Sequence, residues 1–261
     1  MRPLNATPHL LATLLVTAAA VATAFLIPTP ARALTITVSA GNGPNRVVGS
    51  GKEVVVARKI GAFSTLRVDG PIDVDAHPGA NPGVTVHAED NVEPLIETMV
   101  EGDALVVRLR RDSSQSTHRA PRVEVEFATL AASRQTGSGN LRVHGLDAPR
   151  FDAAISGSGD FQLDDAQLGS LSVSVSGSGD VRLAGHADDA RYHIAGSGDI
   201  DAGALAARRV DIGISGSGDA HVNATQALDA RVSGSGDITY SGQPHDVSRR
   251  VSGSGSIEAV R

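Results

Sequence analysis

Five aspartates, Asp160, Asp180, Asp199, Asp219 and Asp237, recur 18 to 20 residues apart in the second half of this 261-residue chain. Carboxylates at so regular an interval can do three things. They can hold cations, present an acidic stripe to a partner, or accept hydrogen bonds from the backbone N–H groups of turns. Each of the five directly follows Gly-Ser-Gly, and two more copies of that tripeptide are followed by Asn140 and Ser256. The serines of the repeat suggest a hydrolase only superficially. A serine nucleophile sits once, in a Gly-x-Ser-x-Gly elbow on a strand-to-helix turn, and no such elbow is present. The histidines His77, His87, His118, His144, His186, His193, His221 and His245 include no His-Glu-x-x-His pair, so no zinc-protease pattern is visible. Asp164-Asp165 and Asp188-Asp189 are the acidic pairs a glycan-cleaving enzyme could use. Neighbours on a strand point to opposite faces, so neither pair forms a two-carboxylate dyad directly.

The elements that must position these residues are set by glycine. The repeat glycines are Gly137 and Gly139, Gly157 and Gly159, Gly177 and Gly179, Gly196 and Gly198, Gly216 and Gly218, Gly234 and Gly236, and Gly253 and Gly255. In Val173-Ser-Val175-Ser-Gly177-Ser-Gly179-Asp-Val181-Arg-Leu183, apolar residues and glycines hold every odd position and polar residues every even one. Period two means extended strand with one face in and one face out. The glycines lie on the inward register, where a corner leaves little room for a side chain. Ser and Asp then project outward. A repeat of 18 to 20 residues is one coil of a narrow solenoid, with coils hydrogen-bonded as parallel strands about 4.8 Å apart. The expected fold is all-β, a parallel β-helix or β-solenoid with Gly-Ser-Gly-Asp corners. Stacking places the five aspartates in a ladder. As a cation ladder they would bind metal; as turn acceptors they would serve the backbone alone.

Composition narrows the function. The net charge of −6 becomes two units more negative if Arg2 and Arg32 are removed with a leader, and no basic cluster stands out, which argues against a nucleic-acid partner. Cysteine and tryptophan are absent and aromatics make up 3%, so disulfides are not available and aromatic platforms for sugars or single strands are disfavoured. Residues 1–33 read as a signal peptide: an apolar stretch from Leu10 to Ile27, breaking prolines at 28 and 30, and Ala31-Arg32-Ala33 as the cleavage site. An uncleaved anchor is the other reading of that stretch. No second apolar segment is long enough to span a membrane once the signal is removed.

Residues 34–53 read as a flexible lead-in, 54–130 as irregular β coils and 131–261 as the regular repeat coils of the same domain. In the irregular part, Asn91 to Val100 is the one helical turn expected, suited to capping the stack, and Asp112 to Arg119 reads as a surface loop. The repeats, together with Arg58-Lys-Ile-Gly-Ala-Phe63-Ser-Thr-Leu-Arg-Val68-Asp-Gly70-Pro-Ile-Asp-Val74, resemble the bacterial family described as putative auto-transporter adhesin, head GIN domain. The resemblance covers about residues 54 to 258 and implies an exported right-handed parallel β-helix with no established catalytic residues. No translocator barrel follows the repeats. The function expected is a non-catalytic adhesin or surface or periplasmic interaction module without a cofactor, its partner a protein or glycan. The alternatives are a carbohydrate-processing enzyme on a parallel β-helix and a structural envelope protein. The last coil, Val251 to Ile257, shows no charged cap, so a second copy could pair with its edge.

Overall fold

Short runs of β-branched residues between turns give nine strands before residue 130 in the computed structural model, which describes residues 46–111 and 114–260. The signal region, the start of the lead-in and residues 112–113 lie outside the described residues. All that is described falls in one compact unit. The strands are β1 (Arg46–Val48), β2 (Glu53–Lys59), β3 (Thr65–Asp69), β4 (Asp73–Pro78), β5 (Gly83–Glu89), β6 (Ile96–Glu101), β7 (Ala104–Leu109), β8 (Ser114–Ser116) and β9 (Arg122–Phe127). Two expectations change here. The helical reading of Asn91 to Val100 shrinks to a 3₁₀ turn at Glu93–Leu95. Its second half, with Ile96, Thr98 and Val100 β-branched, becomes β6 and pairs antiparallel with β7. The loop expected at Asp112 to Arg119 contains β8, which pairs in parallel with β1.

The repeat region forms β10 (Ala132–Gly137), β11 (Leu141–His144), β12 (Asp147–Gly157), β13 (Phe161–Gly177), β14 (Val181–Gly196), β15 (Ile200–Gly216), β16 (Ala220–Gly234), β17 (Ile238–Ser241), β18 (Asp246–Gly253) and β19 (Ile257–Ala259). Each pairs in parallel with its counterpart one coil on, making a β-solenoid of about six turns. The stack begins earlier than the glycine motif does. β3 and β4 pair in parallel with β10 and β11 on one side and with β7 and β9 on the other.

Registered stacking turns the inward positions into continuous buried rows, mostly apolar. One row runs Leu66, Ser133, Ala153, Val173, Tyr192, Ile212 and Ala230, all buried. Tyr192 fits because Ala190 and Ala187 on its own strand are small and buried, so volume is exchanged between positions rather than added.

The two ends close differently. At the start of the stack the wall of β4 and β9 continues through antiparallel β5 and then β2, and the wall of β3 and β7 through antiparallel β6. Arg58 on β2 joins the two walls. Its guanidinium donates to the Ile96 carbonyl at 2.6 Å, to Thr98 Oγ1 at 2.9 Å, and to both the carbonyl and the carboxylate of Glu93. At the other end, Arg249 stands in the inward row directly after Ala230. Its Nη1 reaches to 3.5 Å from the Ile257 carbonyl of the opposite wall. The sequence suggested no charged cap there; Arg249 is one, since the inward row brings its charge to the mouth.

Candidate functional site

Corner geometry explains the glycines and then the aspartates. The first glycine of each pair has positive φ, from +115° at Gly137 to +146° at Gly196 and Gly216, which L side chains rarely adopt. The second lacks that left-handed φ and is buried in six of the seven pairs, but a Cβ on Gly198 would lie 2.3 Å from the Gly179 carbonyl oxygen of the preceding coil. The obstacle is the neighbouring coil's backbone rather than the core. All seven pairs are stacked in this way, Gly137 and Gly139 resting on Gly70 and Ile72.

The residue after each pair extends the contact sideways. The Asp180 N–H donates to Asp160 Oδ1 at 3.1 Å, Asp199 to Asp180 at 3.2 Å, Asp219 to Asp199 at 2.8 Å and Asp237 to Asp219 at 2.8 Å. Ser256 donates to Asp237 at 2.7 Å, and Asp160 donates to Asn140 Oδ1 at 3.0 Å. The chain of bonds starts at Asp73, which accepts from the Asn140 backbone N–H at 2.9 Å and its side-chain amide at 3.1 Å. Sequence spacing missed Asp73. Its signal was the degenerate copy Asp69-Gly70-Pro71-Ile72-Asp73, with Gly and Asp at the repeat positions but a separation of 67 residues from Asn140 where the other copies are 18 to 20 apart. The carboxylates are thus brought together, each with one oxygen on the next coil's backbone. Among the described residues no three His, Asp or Glu side chains converge as a metal site.

The family sequence model described as putative auto-transporter adhesin, head GIN domain, matches residues 62–244. The chain belongs to this family. A solved structure of a putative adhesin from Bacteroides fragilis is similar to it with a TM-score of 0.77 at 26% identity, over 82% of this chain and 100% of that one. A putative lipid binding protein from Parabacteroides distasonis gives 0.68 at 27% identity, over 83% and 100%. A putative adhesin from Parabacteroides merdae, at 23% identity and 0.65, shares the fold over 83% of this chain and 100% of its own. None of the curated proteins compared with the chain is significantly similar to it.

In this head GIN domain the two acidic pairs are engaged by neighbouring side chains in different ways. Strict alternation breaks at Asp164-Asp165, because the chain turns there: Asp165 has φ +54°, and the strand register shifts between Leu163 and Ala166. Asp164 lies 3.4 Å from His144 Nδ1. Asp188 and Asp189 are both half-buried, and each meets its own arginine one coil on, Arg208 at 3.5 Å and Arg209. The two-pronged hydrogen bond from Arg209 holds the Asp189 carboxyl below the usual carboxylate range. His221 stands over Gly203, with Nδ1 3.7 Å from Asp201.

A different carboxylate is the most buried, and sequence reasoning did not find it. Glu89, 3% exposed, accepts the backbone N–H of Gly51 at 2.5 Å and of His118 at 2.8 Å. Burial pushes its pKa up, but the two N–H donors and the nearby His118 ring outweigh that and hold it below the usual value. Glu89 thereby pins the segments that carry β1 and β8, which pair only with each other. Nothing local in the sequence marks it, because its partners lie 38 and 29 residues away.

Proposed function

We propose that this head GIN domain is an exported, non-catalytic recognition module, adhesin-like, working at the cell surface or in the periplasm, with no cofactor. The observation that carries the reading is that its repeated polar groups are engaged by the scaffold itself. The ladder aspartates face the next coil's backbone, and Asp188 and Asp189 face arginines. A glycosidase needs two carboxylates across a cleft about 5 to 9.5 Å wide, one of them free to carry a proton. Short coils with tight corners supply outward faces rather than such a cleft. The family description and the adhesin from Bacteroides fragilis support the same reading. The signal-like features of residues 1–33 support export. The ladder, on this reading, is structural rather than a cation site.

The strand edge of β18 carries a row of backbone groups with a partner on one side only. Self-association of a second copy there belongs to the same proposal, with Arg249 limiting it to edge pairing. A monomeric mass by light scattering at micromolar concentration removes that part. The reading as a whole is tested by a glycan-array and whole-cell binding screen of residues 34–261, with and without Ca²⁺. Saturable, Ca²⁺-independent binding is expected. A well-folded sample that binds neither glycans nor cells overturns recognition and points to a structural envelope role. Hydrolysis of any arrayed glycan overturns the non-catalytic part.

A further inference from the structure

One glycine in the repeat region has no structural need. Gly213 lies within β15 in extended conformation, and a Cβ there would meet only His193 Nδ1 at 3.6 Å, an ordinary contact. The other mid-strand glycines are forced by close approach. A Cβ would come within 2.7 Å of the Pro149 carbonyl at Gly169 and 2.3 Å of the Ala166 carbonyl at Gly185, both backbone, whereas at Gly203 it would lie 2.6 Å from the His221 ring, which would have to turn away. An unforced strand glycine weakens its strand relative to alanine, and marks a bulge, a tight bend or a place where another molecule approaches the backbone.

Registered stacking places His193, Gly213, Arg231 and Arg250 in one outward row, so Gly213 is a gap with His193 on one side and Arg231 on the other. A shallow bay opens on each side of it. One is lined by Ser172, Ser174 and Arg191, the other by Ser215, Ser233 and Arg250. Arg231 is held by Asp211 at 2.9 Å and by Asp229. Arg191, by contrast, has no carboxylate within ion-pair distance among the described residues, although most arginines around it are paired.

We propose that the floor at Gly213, with its two serine-lined bays, is a binding subsite for a carboxylate-bearing polysaccharide, a polyuronate; the inference rests on the recognition role above and names its ligand class. The chain crosses the row where Gly213 leaves the backbone uncovered. A uronate carboxylate meets the guanidinium of Arg191, and serine hydroxyls bond the sugar hydroxyls. The described phenylalanines and tyrosines are all buried, so there is no stacking platform to hold a neutral sugar. Selection must come from charge and hydrogen bonds. Asp211 and Asp229 nearly balance the neighbouring arginines, which suits one carboxylate per sugar and repels densely sulfated chains.

The experiment is calorimetric titration of residues 34–261 with polygalacturonate, dextran and dextran sulfate at low and high NaCl. Polygalacturonate is expected to bind, more weakly as salt rises, and dextran is expected not to bind. Gly213→Val fills the floor with a good strand former and should weaken binding at least tenfold without lowering the melting temperature. Arg191→Gln should weaken it at least threefold, and decides the matter if the valine variant folds poorly. Equal binding of dextran, preference for dextran sulfate, no binding of polygalacturonate, or wild-type affinity in both variants overturns the subsite. Whole-cell binding separates the two levels. If wild type binds cells but not polygalacturonate, only the subsite fails; if it binds neither cells nor any glycan, the recognition role fails with it.

Discussion

The middle of the stack and its first end hold together by different means. From β12 to β16 the chain is joined by backbone groups, by glycines too close to their neighbours for a side chain, and by one carboxylate per coil. Around β2, β5 and β6 the strands turn antiparallel, β1 and β8 pair only with each other, and single side chains take over: Arg58 across the two walls and Glu89 beneath two loops. A repeated contact is satisfied by every coil and can be written as a motif. An end has no next coil to supply its partners, so it needs individual residues that occur once.

Substitutions should separate the two regimes, and the largest effect belongs in the middle. Gly198→Ala puts a methyl 2.3 Å from a carbonyl oxygen and should cost more than about 4 kcal/mol or abolish soluble expression. Gly61→Ala, with nothing within 4 Å, should stay within about 0.5 kcal/mol in a denaturant melt. If the two variants unfold alike, backbone contact does not govern the stack.

Arg58→Ala should come next, at about 2 kcal/mol, because it leaves buried carbonyls unpaired. Hydrogen exchange should then quicken in β6 and stay slow in β14 and β15. Uniform quickening would mean that cap and stack open as one unit.

Glu89→Gln should cost about 2 kcal/mol at pH 7, since charge-assisted bonds to Gly51 and His118 become neutral ones. The folded-state pKa of Glu89 lies below its ordinary 4.5. Its contribution is therefore present in full above that value and is lost as pH falls through the depressed one. The gap between wild type and variant in thermal melts should be constant above pH 4.5 and narrow as pH falls below it. A gap that does not narrow there assigns the effect to packing instead.

Asp199→Ala should cost less than either end substitution, about 1 kcal/mol for one backbone hydrogen bond in a ladder of several. Millimolar Ca²⁺ should leave the melting temperature of both proteins unchanged. A rise confined to wild type would make the ladder a cation site after all.

The regular half of the fold was legible because its determinants are local. Alternation at Val173 to Leu183 is a period-two signal, and seven Gly-Ser-Gly copies announce the corners and the aspartate stack. Asn91 to Val100 was harder, since the Glu93-Pro94 start of a helical turn runs straight into β-branched residues that pair with β7. Arg249 could not be told from its neighbour Arg250 as a cap, because only the register with Ala230 places it inward.

Sequence alone determined the coil length, the inward and outward faces, and the aspartates that lie above one another, because strand parity and repeat spacing act over a single coil. Only the tertiary structure decided that the ladder starts at Asp73, that Glu89 pins two loops, that Arg58 and Arg249 close the ends, and that Gly213 is unforced. Each of these depends on what another strand brings alongside, as with Asp73 and Asn140, 67 residues apart. No local pattern encodes that separation.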